Sequence, residues 1–150
     1  LNLKFFGYIR MIRAAMPQMI KQNDGRIINL VGSAGRMPPA TFLPGSTTNA
    51  GLINFTRGLR RELAEHNIRI NAISPSPTAT ERARKLAEQT AEARNVSLDE
   101  IWAETTSSVP LKRMIQPEEI ADLAAFLVSD RARSITGAEI LIDGGKSPCI

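Results

Sequence analysis

The sequence predicts an α/β protein built as half of a doubly wound parallel sheet, with three strands, flanking helices and a helical lid. Three observations carry that expectation. Short β-branched runs at 26–31, 68–74 and 139–142 alternate with longer stretches of helical periodicity. No hairpin signal joins one run to the next, so helices must connect them, which implies parallel pairing and right-handed crossovers. The runs end in small residues and proline, at Gly32-Ser33-Ala34-Gly35, Pro75-Ser76-Pro77 and Asp143-Gly144-Gly145. Half a sheet is expected because three parallel strands cannot cover both edges and the first strand is apolar throughout.

The first helix, about 3–22, places Phe5, Ile9, Ile12, Met16 and Met19 at alternating steps of four and three. Phe6, Met11, Ala14, Ala15 and Ile20 fill much of the remaining circumference, so cover is expected on more than one side, from the sheet and from a second subunit or a further segment. Pro17 should kink or break this helix. Asn23-Asp24-Gly25 stops it, and 26–31 reads as a strand buried on both faces. The second helix, about 46–65, carries Leu52, Phe55, Leu59 and Leu63 on its inner stripe. Arg57, Arg60, Arg61 and Glu65 should face water, with Arg61 and Glu65 as an i,i+4 pair. The second strand, 68–74, closes on Pro75-Ser76-Pro77, which cannot continue in a sheet.

Residues 79–108 differ in texture, being alanine and charge with few large apolar side chains, in two short helices. Such a segment reads as a lid of low local stability. Pro117 opens the last helix, with Glu118 and Glu119 in its first turn and Ile120, Leu123, Ala124 and Leu127 inside. The glutamate pair belongs to that helix start rather than to a two-carboxylate site.

Composition narrows the function. The 150 residues are 43% hydrophobic and 23% charged, which suits one globular domain. No apolar stretch approaches the ~20 residues of a membrane span, so a soluble, cytoplasmic protein is expected. The one cysteine, Cys149, excludes an internal disulfide framework and fits a reducing compartment. With one histidine, His66 at a helix end, no metal site is expected. The chain opens directly inside a helical pattern without a signal peptide, which reads as a fragment. The excess of 19 basic over 15 acidic residues gives a net charge of +4, compatible with an anionic partner such as a nucleotide. Arg57-Arg60-Arg61 and Arg131-Arg133 cluster without interleaved aromatics, so no nucleic-acid partner is expected.

Ligands of open parallel sheets bind beyond the carboxyl ends of the strands. There the sequence resembles the short-chain dehydrogenase/reductase family, close to its 3-oxoacyl-carrier-protein-reductase-like members. The resemblance runs through Asn2-Leu3-Lys4, Gly25-Arg26-Ile27-Ile28-Asn29, Gly32-Ser33, Asn49-Ala50-Gly51-Leu52, Ile68-Arg69-Ile70-Asn71-Ala72-Ile73-Ser74-Pro75, Pro117-Glu118-Glu119-Ile120-Ala121, Ile135-Thr136-Gly137 and Asp143-Gly144-Gly145. It corresponds to the family's C-terminal portion, and so implies the C-terminal half of a Rossmann-like domain over 1–150, with 79–108 as its substrate loop. It further implies an NAD- or NADP-dependent oxidoreductase acting on a carbonyl or alcohol, and a homodimer or homotetramer through helices 3–22 and 46–65.

The family's acid/base group is a tyrosine whose pKa is depressed by a lysine four residues later, assisted by a serine and an asparagine. The resemblance assigns the serine to Ser33 and the asparagine to Asn2. The tyrosine position falls on Gly45 and the lysine position on Asn49. The only tyrosine, Tyr8, is followed four residues later by Ile12, so no Tyr-x-x-x-Lys exists in the chain. Ser46, Thr47 and Thr48 lie nearby but are far weaker acids than a phenol. The resemblance places Asn49, Pro75, Ser76, Thr78 and Thr80 at the cofactor. The family's G-x-x-x-G-x-G phosphate turn does not occur in the sequence, so dinucleotide binding is expected to be poor and the chain inactive as it stands.

Each position has a second reading. Ser33 can be a turn serine, Asn2 a helix cap or frayed end, Asn49 an N-cap or early-helix residue, and Thr80 the N-cap of the lid helix beginning near Glu81. Trp102, with Leu98 and Ile101, is either a substrate-lining or a packing patch. Two functions follow: a divergent oxidoreductase of this family, or a pseudoenzyme that keeps the fold as a scaffold or binding subunit.

Overall fold

The central strand, buried along almost its whole length, packs helices onto both faces of one sheet. The structure is a computed structural model that describes residues 2–148; Cys149, on which the redox expectation rests, lies outside them. In chain order the elements are α1 (Phe5–Gln22), β1 (Gly25–Leu30), α2 (Leu43–Ala64), β2 (Ile68–Pro75), α3 (Glu81–Arg94), α4 (Leu98–Ser107), α5 (Pro117–Val128) and β3 (Glu139–Ile142). The sheet order is β1-β2-β3, all parallel, with Gly25 opposite Ile68 and Ala72 opposite Glu139.

Ile68, Ile70 and Ala72 of β2 are fully buried against α1 and α2, where Ile12, Ile27, Leu52 and Leu63 complete that side of the core. Ile73 points the other way, into a cluster with Leu127, Ile28, Ile140 and Ile142 under α5. This places α2 and α5 on opposite faces while the strands advance in one direction. Two connections of that kind have opposite hands, so the expectation of right-handed crossovers fails for one of them. The connection from β2 to β3 carries α3 and α4 as well as α5, and so escapes the constraints of a short βαβ unit.

Other local expectations are corrected. Helix α1 continues through Pro17, so the break expected there does not occur. Strand β1 is buried on the face of Ile27 and Asn29 but only partly covered on the other, where Leu30 is 45% exposed. Pro75 is the last residue of β2, opposite Ile142, and the ladder continues through Ser76 N–H to the Ile142 carbonyl at 3.0 Å. Helix α2 starts at Leu43, three residues before the expected Ser46. Arg57 keeps much of its side chain in water while reaching Glu139 at 3.4 Å, and among the described residues no Arg61–Glu65 ion pair forms. No described helix is long and apolar enough to cross a membrane.

Helix α5 begins with Pro117 and a capping box: Glu119 accepts from the Gln116 N–H at 2.8 Å and pairs with Arg113 at 2.6 Å. The Arg113 hydrogen bond, followed by that of Gln116, pulls the Glu119 carboxyl down from its ordinary 4.5 to about 2. A depressed pKa favours the folded state above the unfolded value and loses that contribution as protons bind in the folded state. The first turn of α5 is therefore expected to hold above about pH 4.5 and loosen as pH falls through about 2. In Arg113→Ala the loosening should shift to higher pH, read by amide exchange at 118–120.

Candidate functional site

The site is assembled at the carboxyl ends of β1 and β2. After Val31, Gly32 adopts φ +135°, which L side chains rarely adopt, and turns the chain into a 3-10 turn of Ser33–Gly35. That turn packs directly on α2: a Cβ at Gly35 would lie 2.9 Å from Ala50 N and from Asn49 Cβ, and one at Gly32 would lie 2.9 Å from Asn49 Nδ2. Ser33 is thereby held at the rim, half-buried, and among the described residues its hydroxyl makes no hydrogen bond.

Asn49 sits in the second turn of α2 and is 4% exposed, so it is neither a cap nor a surface residue. Its Oδ1 accepts from Lys4 Nζ at 2.7 Å, and the same Nζ donates to the Val31 carbonyl at 2.6 Å. Burial lowers the pKa of Lys4 below the usual 10.5. Tyr8, one helical turn after Lys4, donates to the Leu30 carbonyl at 2.8 Å, and burial raises its phenol above 10.0. A phenol with a raised pKa, donating to a backbone carbonyl, is poorly placed to act as the missing acid/base group. Asn2 is exposed in the turn before α1, and among the described residues its side chain makes no hydrogen bond.

Gly45 lies in the first turn of α2, and a Cβ there would run into the ring of Phe42. The space of a side chain at position 45 is thus filled from the preceding turn. Two of the three neighbouring hydroxyls are committed, Ser46 to the Leu43 carbonyl and Thr48 to the Pro44 carbonyl.

On β2 the rim continues with Pro75, Ser76 and Thr78. Ser76 is 8% exposed, and its Oγ is buried with no hydrogen-bond partner among the described residues. Thr78 Oγ1 donates to the Ser76 carbonyl at 2.9 Å, and 77–79 is tied to Ile115 by two backbone hydrogen bonds of 3.0 and 2.8 Å. Thr80 caps α3, its hydroxyl accepting from Ala83 N–H at 3.2 Å, as the capping reading expected. Helices α3 and α4 share a small cluster of Ala87, Ala91 and Ile101, with Val96, Leu98 and Trp102 at its margin. Trp102 also lines the open cleft between Thr80, Arg84 and Met114, so it serves packing and cleft together.

Beyond β3, Asp143 accepts from Gly145 N–H at 3.0 Å and Ser147 N–H at 2.8 Å, fastening the turn. Burial opposes ionisation of Asp143, but these hydrogen bonds outweigh it and hold the carboxyl below its usual range. Gly144, at φ +63°, leaves no room for a side chain beside Val109. Among the described residues no group of three His, Cys, Asp or Glu could hold a metal.

Lys4 stands out in the sequence only as part of a motif, and its place at the site emerges from the structure. Its signal was present: a lone lysine one turn before Tyr8, on the face of α1 that meets the sheet.

A family profile described as enoyl-(acyl carrier protein) reductase matches residues 1–147. The NADPH-dependent reductase BacG of Bacillus subtilis is 38% identical over 148 residues, covering 98% of this chain and 57% of BacG. The 3-oxoacyl-[acyl-carrier-protein] reductase FabG of Staphylococcus aureus is 36% identical over 147 residues, covering 96% of this chain and 53% of FabG. The solved structure of YwfH, an NADPH-dependent reductase involved in bacilysin biosynthesis, matches with a TM-score of 0.89 and 37% identity over 98% of this chain and 56% of that one. The chain spans about half the length of the curated relatives it matches. The profile takes in the strand ends, the Ser33 turn and the glycines after β3 together, and the chain belongs to the short-chain dehydrogenase/reductase family.

Proposed function

We propose that this chain carries the substrate and nicotinamide side of an NAD(P)-dependent oxidoreductase acting on a carbonyl or alcohol. The observation that carries the reading is the pair of uncommitted serine hydroxyls at the ends of adjacent strands, Ser33 after β1 and the buried Ser76 after β2. A buried hydroxyl without a partner costs about 1–3 kcal/mol, and a bound carboxamide or carbonyl oxygen would satisfy it. The donor set therefore fits a nicotinamide. Ser76, Thr78 and Asn49 would hold it, with Pro75 and Thr80 beside them, and when bound it supplies or accepts a hydride. Ser33 would donate to the substrate oxygen. Asn2, exposed in the turn two residues before Lys4, would complete the rim. That BacG and YwfH are NADPH-dependent reductases favours NADPH.

Self-association through α1 and α2 is part of this proposal, supported by the exposure of Phe6 and Met11. So are a lid made of 79–108, a single partial domain over 1–150, and a reducing, cytoplasmic setting.

A second reading, a pseudoenzyme that binds without turning over, is favoured by one specific observation: Phe42 fills the space at Gly45. NADPH oxidation with diketones or acyl thioester analogues separates the two. Turnover that falls at least about a hundredfold in Ser33→Ala supports the oxidoreductase. An intact-length version that neither turns over nor binds NADPH supports the scaffold.

A further inference from the structure

Position 49, aligned with a family amine, carries an amide, and that amide is engaged by an amine from a different helix. Lys4 Nζ donates to Asn49 Oδ1 at 2.7 Å and to the Val31 carbonyl at 2.6 Å. The ammonium is thus pinned between the last apolar residue of the first strand run and α2, two residues before Ser33. An ammonium has three N–H donors. Two are used, which leaves one to offer at the rim.

The niche is built rather than incidental. Asn49 is 4% exposed and packs over Gly32, and Tyr8 fixes the same face of α1 through the Leu30 carbonyl. Among the described residues Lys4 has no ion pair with a carboxylate, so its charge is not neutralised locally. Burial lowers its pKa, in keeping with a partly desolvated position.

We propose that Lys4 is the cationic positioning residue of this site: the rim holds one ammonium niche, filled from α1 rather than from position 49, whose free N–H is offered to an oxygen of a nicotinamide nucleotide. The inference rests on the nicotinamide reading above for its ligand, but not for the niche itself. A single niche has a distinct consequence. Asn49→Lys would bring a second ammonium within hydrogen-bonding range of the first, a repulsion that removal of Lys4 relieves.

The test is a cycle of Lys4→Met, Asn49→Lys and the double variant, read twice. Thermal melting reports the niche. Asn49→Lys should melt well below the parent, and the double variant should recover most of that loss. NADPH titration, followed through the backbone amides of Gly32 and Ser33 by NMR, reports the ligand. Lys4→Met should weaken binding about tenfold or more, the loss of one charge-assisted hydrogen bond, and the double variant should return to within about threefold of the parent. Were Lys4 purely structural, adding Asn49→Lys to Lys4→Met would not rescue affinity. Additive melting losses without recovery, or unchanged NADPH affinity in Lys4→Met, would overturn the proposal. If the parent gives no NADPH-dependent shift, the nicotinamide reading falls, and the melting cycle alone upholds or rejects the shared niche.

Discussion

Arg69→Met should lower the melting temperature by about 5–15 °C. Arg69 is 7% exposed in the middle of the sheet, and its guanidinium donates to four carbonyls: Leu127 at 2.6 Å, Ala132 at 2.8 Å, Ser129 at 2.9 Å and Val128 at 3.3 Å. The last carbonyls of a helix have no partners within it, so a side chain from β2 closes the end of α5. Methionine fills similar volume but donates nothing. Several buried acceptors then go unpaired, at a cost of about 2–4 kcal/mol in sum after partial relaxation. Calorimetry of the purified variant checks the size. A loss under about 1 kcal/mol would mean that water reaches the end of α5 and replaces the arginine.

Glu139→Leu is the second large effect. Its side chain is 1% exposed, on the α2 face of β3, and it accepts from Arg36 Nε at 2.8 Å and Ser74 Oγ at 3.0 Å, with Arg57 at 3.4 Å. Removing the carboxylate strips a buried cluster of its negative member. The two arginines are 25% and 43% exposed, so both can turn towards solvent. That places the cost at about 1–3 kcal/mol, below the 3–5 typical of a fully enclosed pair. Chemical denaturation measures it. Glu139→Leu combined with Arg36→Leu should lose less than Glu139→Leu alone, because a buried ion pair replaced by apolar groups can be nearly neutral.

Much of the fold was legible because it follows local rules. The three strands announce themselves by β-branched runs and the helices by steps of three and four, and Thr80 and Glu119 cap their helices as residue type dictates. Proline was read too strongly. Pro75 pairs at the very end of a strand, and Pro17 is accommodated inside α1. Crossover hand was misjudged because it depends on which face α5 takes, a tertiary choice.

The site was legible by position and not by contact. Ser33 and Ser76 stand where the strand ends put them. The bond between Lys4 and Asn49 joins residues 45 apart on different helices, and neither residue type signals the other. Phe42 over Gly45 was hidden for a related reason: a missing side chain leaves no pattern to read, and what fills the gap is decided by packing.

The unequal reach of the two strand pairings sets an order of events. β1 meets β2 across the compact α2 connection, whereas β3 can dock only after a far longer excursion has closed, and loop closure grows costlier with length. β3 is also only four residues long, and each of the four is half-buried rather than buried. The β1–α2–β2 unit is thus expected to form first, with β3 and its Asp143-Gly144-Gly145 turn docking last and opening first.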